Sequence, residues 1–212
     1  MTAYIDAHTH SLCTGNPFSV VNLSVADAVS VLQASSHTFF SVGIHPWDVH
    51  TAGTLALQQL ELLLSDARIK AIGECGLDKN SKATMKEQLF FFERQVQLSE
   101  KYNKPLIIHC VAAFNEVIAL RKKLKPTQEW IIHGFRAKPE MAKQLLNHGF
   151  ALSYGAFFNA MSVALTPIDK LCIETDESET EIADLYKAIA NIKNCHPAEL
   201  NAACALLRLY VC

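Results

Sequence analysis

Residues 69–109 read IKAIGECGLDKNSKATMKEQLFFFERQVQLSEKYNKPLIIH, and this stretch decides the fold. A short apolar run ending at Glu74 is followed by a segment of helical period over 84–102, then by a second apolar run, Pro105 to His109. Short apolar runs read as buried strands and the periodic segment as a crossover helix, which makes one strand–helix–strand unit of a parallel sheet. Each apolar run closes on an ionisable residue, Glu74 in the first and His109 in the second.

Working outward, the same alternation fills the chain. The sequence predicts strands near 3–8, 38–44, 69–74, 105–109, 129–133, 150–154 and 170–175. Helices are expected near 24–34, 55–66, 84–102, 113–124, 138–147, 179–192 and 197–208. Ser24 and Pro197 suit helix starts, and Gly149 suits a helix end. Alternating strands and helices predict an α/β, TIM-barrel-like fold of seven parallel strands. A chain of 212 residues with 50% hydrophobic side chains fits one domain over 1–212.

Composition narrows the function. A formal net charge of -2 and a pI near 6.5 exclude a broadly basic nucleic-acid-coating surface, but not a local phosphate-binding patch. Met1 to Asp6 run straight into a strand-like segment, with no secretory signal pattern. No apolar run is long enough to span a bilayer. The seven cysteines form no C-x-x-C pair, so reduced thiols and a cytoplasmic setting are expected. Cys75, Cys110 and Cys172 read as small buried hydrophobes. Neighbouring side chains on a strand point to opposite faces, so His109 cannot activate Cys110.

The ionisable residues fall at one place in the pattern. His8, His10, Glu74, His109, His133 and Asp176 all stand at the carboxyl end of an expected strand, and in parallel barrels that end carries the site. His8 and His10 share a face with Asp6; Glu74 shares one with Ile72, His109 with Ile107, His133 with Ile131, and Asp176 with Glu174. If the isoleucines fill the interior, the polar residues converge above them. Four imidazoles and two carboxylates gathered in a partly buried place call for positive charge among them. The mixed nitrogen and oxygen donors suit Zn, Mn, Fe or Co better than an all-oxygen site. Six donors exceed what one catalytic ion with an open position takes, and fit two ions sharing a carboxylate.

Among the other residues, His45 is read as a hydrogen-bonding group near the rim. Trp47 is read as a loop aromatic packed on that rim, with stacking on a base or ring as the alternative. Lys79 and Lys82 are expected to be solvated charges, whereas Arg136, just past His133, is placed to meet a substrate phosphate. His37, His50, His148 and His196 are expected at the surface or in loops.

Together, the segments Asp6-Ala7-His8-Thr9-His10, Gly43-Ile44-His45-Pro46, Gly73-Glu74-Cys75-Gly76-Leu77-Asp78, Ile107-Ile108-His109, His133-Gly134-Phe135, Gly149-Phe150 with Ser153 and Gly155, and Glu174-Thr175-Asp176 resemble, in order, the TatD-related family of metal-dependent deoxyribonucleases and hydrolases. The helix with Gln88, Phe92 and Gln95 fits the same pattern. The resemblance implies a distorted TIM barrel binding two divalent ions, Zn, Mn, Co or Mg. One would be held by His8, His10, Glu74 and Asp176, the other by Glu74, His109 and His133. Asp176 would also act as general base, and Asp6 and Glu174 would orient ligand histidines.

The chain departs from the family in three places: a βα unit missing between His10 and Gly43, apolar Val111-Ala112-Ala113 after His109, and acidic Glu177-Ser178-Glu179 after Asp176. The resemblance implies hydrolysis of phosphoester bonds in DNA ends or a small phosphorylated substrate. Single-stranded DNA ends are the candidate partner; extended duplex and membrane are not expected. The alternatives are an amidohydrolase-type C-N or C-O hydrolase and a non-catalytic metal-binding barrel.

Overall fold

A computed structural model describes residues 4–12, 15–36 and 39–209, with the side chains of Ala203 and Cys204 excepted. Ala3, His37 and Thr38, on which parts of the expectations above fall, lie outside the described residues, as do Cys13 and Cys212. The strands are β1 Asp6–Thr9, β2 Ser19–Ser24, β3 Phe40–Gly43, β4 Ile69–Asp78, β5 Leu106–Val111, β6 Trp130–Ile132, β7 Ala151–Tyr154 and β8 Leu171–Ile173. They belong to one sheet in chain order, and the pairings that define it are parallel. The helices are α1 Val25–Ala34, α2 Val49–Leu63, α3 Met85–Tyr102, α4 Phe114–Leu124, α5 Pro139–Asn147, α6 Ala160–Leu165, α7 Ile182–Lys193 and α8 Ala202–Leu206. The fold is α/β and TIM-barrel-like, as the alternation predicted.

The strand count is corrected from seven to eight. The additional strand, β2, pairs with β1 through Asp6 with Ser19 and Thr9 with Val21, and with α1 it is the βα unit expected to be missing. Its sequence, Ser-Val-Val-Asn-Leu-Ser, hides it: adjacent valines break the alternation, and asparagine disfavours strands. No turn follows it either, because Ser24 both ends β2 and caps α1 by accepting the Asp27 N–H at 3.1 Å.

Smaller corrections have similar causes. Helix α2 begins at Val49, with a non-helical Gly53 (φ 60°) inside it that interrupts the helical period. The expected last helix splits at Asn201 into a 3₁₀ turn, Pro197–Leu200, and the short α8. Strand β4 runs four residues beyond Glu74, so Glu74 is not at its end.

The chain divides into two compact units, 1–21 with 131–212, and 22–130. In the second, α3 is held by a reciprocal cap between Thr84 and Glu87 and ends on Asn103 in the left-handed conformation. Two buried glutamines on α3 bind backbone that neighbouring strands leave open. Gln88 accepts from Asp78 N and donates to the Asp78 and Ala83 carbonyls; Gln95 accepts from Ile44 N and donates to Ile44 O. A buried amide with both ends bonded is stabilising where a half-satisfied one would not be. In the first unit, the buried Tyr186 hydroxyl accepts the Ile5 N–H at 3.2 Å and lies 2.9 Å from Ile5 O, anchoring the entrance to β1 against α7.

Candidate metal centre

In the unit of 1–21 and 131–212, two groups of donors that share Asp176 stand at strand ends. His8 lies in β1, His10 one residue past it, and Asp176 three residues past β8. The segment after β8 is locked to β1 by a parallel bridge of Asp176 with Thr9, with Asp176 N donating to His8 O at 3.0 Å and His10 N to Asp176 O at 3.2 Å. These bonds hold Asp176 at a φ of 54°, a left-handed conformation that aspartate tolerates better than most residues. Its Oδ1 stands 3.6 Å from Nε2 of the buried His8 and 3.5 Å from Nε2 of His10. His133 follows β6, with Nδ1 3.5 Å from Oε1 of the fully buried Glu174, which also accepts the Gly134 N–H at 2.5 Å. Donor atoms of His133, Glu174 and Asp176 lie within 4.8 Å of one another, as do those of His8, His10 and Asp176.

Asp6 is spent on the strand crossing. It accepts from Thr175 N at 3.0 Å, from Thr175 Oγ1 at 2.6 Å and from the backbone N–H of His8 at 3.4 Å. Burial pushes its carboxyl up to about 6, against the Thr175 bonds that favour the ionised form. Arg136 is exposed in the loop after β6.

The unit of 22–130 brings together His45, Glu74 and His109, again with donor atoms within 4.8 Å. Glu74 sits where the β4–β5 register shifts between Ile72 and Cys75, and such irregularities re-aim side chains. His109 Nδ1 is 3.8 Å from Glu74 Oε1, and its Nε2 is 3.1 Å from Asp78 Oδ2. A carboxylate at Nε2 fixes the proton there and leaves the Nδ1 lone pair for a metal. The Asp78 carboxyl is held below its ordinary range: burial would raise it, but the Asn80 N–H, His109 and Trp47 together outweigh that.

Asp78 and Asn22 bond to candidate ligands and were given no role by sequence reasoning. Asp78 lay beyond the expected end of its strand. Asn22 lies on the unrecognised β2, donates to Glu74 Oε2 at 3.2 Å and accepts from Ser41 at 3.1 Å. Trp47, expected to pack on the rim, is 61% exposed and donates its Nε1–H to Asp78 Oδ2 at 2.7 Å. Lys79, expected to be solvated, pairs with Glu116 at 2.7 Å. His196 caps the turn at Pro197 by accepting the Ala198 N–H, and His148 caps the end of α5. Burial pushes the Cys110 thiol up to about 12, which removes it as a nucleophile at neutral pH.

The donor sets fit divalent transition metals. Two ligands on a tetrahedral ion at about 2.1 Å stand about 3.4 Å apart, close to the 3.5 and 3.6 Å that separate Asp176 from the two imidazoles. These distances are too long for good hydrogen bonds.

The sequence matches the family model described as TatD related DNase over residues 14–206. A metal-dependent hydrolase of Haemophilus influenzae is 24% identical over 247 aligned residues, covering 93% of this chain and 94% of that protein. A protein of Cronobacter turicensis named 3'-5' ssDNA/RNA exonuclease TatD is 29% identical over 165 residues, covering 73% of this chain and 62% of that protein. Among solved structures, a TatD homologue from Escherichia coli superposes with a TM-score of 0.85 at 18% identity, covering 98% of this chain and 99% of the other. With strands, helices and motif order all in agreement, the chain belongs to the TatD related DNase family and is, with that family, a metal-dependent hydrolase.

Proposed function

We propose that this protein hydrolyses phosphoester bonds at the ends of single-stranded DNA or in a small phosphorylated substrate. The chain would act as one domain over 1–212, in the cytoplasm, with two divalent ions held by His8, His10, Glu74, His109, His133 and Asp176. The observation that carries this reading is the spacing of Asp176 from His8 and His10, set by backbone bonds across the β1–β8 crossing. Family membership and the exonuclease name of the Cronobacter relative support the substrate class.

Bound ions would lower the pKa of a water and offset charge on the phosphoryl oxygens. The residues of the chain do the rest. Asp176, half-exposed beside the two imidazoles, accepts the proton of the attacking water. Asp78 keeps His109 in the tautomer that presents Nδ1, and Asn22 holds one oxygen of Glu74. Glu174 sets His133, and Arg136 meets a substrate phosphate. Exposed Glu177 and Glu179 close to Asp176 disfavour an extended polyanion, so strand ends are preferred over duplex.

A panel assay tests this reading. Protein loaded in turn with Mn, Mg, Co and Zn is offered a chromogenic phosphodiester, a phosphomonoester and 3'-labelled single-stranded DNA. Turnover of at least one phosphoester is expected, with the labelled single strands cut faster than the same strands annealed into duplex, which is offered alongside them. Failure on every phosphoester with every metal would refute it.

A further inference from the structure

The segment Ile44-His45-Pro46-Trp47 presents an imidazole and an indole that the proposed ligand set leaves out, and both are pinned. The backbone turns at His45, with Asp48 N donating to His45 O at 2.9 Å, and the Trp47 N–H donates to His45 Nδ1 at 3.1 Å. A neutral imidazole that accepts at Nδ1 carries its proton on Nε2. That leaves His45 an N–H donor beside Glu74 and His109, not a lone pair for an ion.

Trp47 is fixed at its other end: its Nε1–H donates to Asp78 Oδ2 at 2.7 Å, the same oxygen that meets His109. Its edge is therefore held while 61% of the residue stays exposed. A mobile surface tryptophan would lose rotamer freedom on stacking; this one has already lost it, which favours binding of a flat partner. The His45 and Trp47 ring centres are 5.2 Å apart, so both side chains are within reach of a single nucleotide.

We propose that His45 and Trp47 form the subsite for a terminal nucleotide, in which Trp47 stacks on the base and His45 Nε2–H donates to a phosphate oxygen. The proposal rests on the phosphoesterase reading for its ligand class. It goes further by assigning a preference for substrates that carry a base, and by linking that subsite to His109 through Asp78.

The test reads binding, not turnover. Only two tryptophans are present, and Trp130 is buried, so quenching of the exposed indole reports on Trp47. In metal-free protein, deoxyadenosine 5'-monophosphate is expected to quench this emission saturably, whereas 2-deoxyribose 5-phosphate, with a phosphate but no base, is expected to quench it little. Trp47→Phe should abolish the signal. By equilibrium dialysis, Trp47→Ala should raise the Kd for the nucleotide about fivefold to a hundredfold, the range for one lost base stack. His45→Asn should weaken the nucleotide and the sugar phosphate alike.

Equal quenching by both probes, or a nucleotide Kd in Trp47→Ala equal to that of the wild type, would overturn the subsite. Because no metal or turnover enters, the binding result stands apart from the panel assay. A protein that cuts phosphoesters yet shows no base-dependent quenching loses only the subsite, and one that quenches but cuts nothing loses the hydrolase reading.

Discussion

Asp176 is the residue on which the proposed function rests most directly. Its backbone bonds to His8 and His10 set its position, and its carboxylate stands beside both imidazoles, where the proposed function uses it as ligand and base. Asp176→Asn keeps the shape, tolerates the left-handed φ and loses the basicity, so kcat should fall about a hundredfold or more. Thermal stability of the metal-free protein should be unchanged or raised, because Asp176 and Glu174, whose oxygens lie within 4.8 Å, would no longer repel. Rates across about pH 6 to 9 at saturating metal check this; turnover equal to wild type would remove Asp176 as the base. His8, His10, Glu74, His109, His133 and Asp176 stood out in the sequence as candidate ligands because an ionisable residue at the end of an apolar run breaks a strong pattern. Asn22 and Asp78 were not, since their roles depend on which donor faces them across neighbouring strands.

At the scale of elements, β4 carries the tightest constraint. Gly76, at a φ of 136°, has no room for a Cβ, which would meet the carbonyl of His109 on β5. Gly76→Ala should destabilise the protein by about 3 kcal/mol or more, by strain and by forced separation of β4 from β5. Thermal unfolding reads that loss, and a displaced His109 should lower turnover as well.

Between α3 and the segment leading into β6 the link is a carboxylate. Glu100 accepts from Thr127 N at 3.0 Å, Thr127 Oγ1 at 2.6 Å and Gln128 N at 2.9 Å. Burial alone would raise its carboxyl, but these bonds outweigh it and hold the group below the usual glutamate range. A depressed folded pKa means that the contribution is fully present above the ordinary glutamate value and is lost as pH falls through the depressed one. Wild type should therefore lose more stability than Glu100→Gln on acidification from about pH 7 to about pH 3, by about 1 kcal/mol after solvent screening. Parallel Tm curves for the two proteins would show that Glu100 adds nothing.

The elements themselves were legible to different degrees. Helix α3 announced itself through a long segment of helical period. Strand β2 did not, with an asparagine inside it and a helix cap as its last residue. A strand of such mixed composition is defined by its partner, here β1, more than by its own residues.

For the whole molecule, the alternation of strands and helices together with the ordered motifs was enough to reach the α/β barrel class and the family, with a net charge of -2 setting aside a general nucleic-acid-coating role. Where the chain goes beyond its motifs is in the claim that bound metal drives phosphoester hydrolysis. The most direct measurement is turnover of a chromogenic phosphodiester by chelator-stripped protein as Mn²⁺ is returned in known equivalents. If bound metal drives the reaction, the stripped protein shows no turnover, and recovery levels off at about two equivalents per chain. Undiminished turnover after stripping, or none at saturating metal, would contradict it.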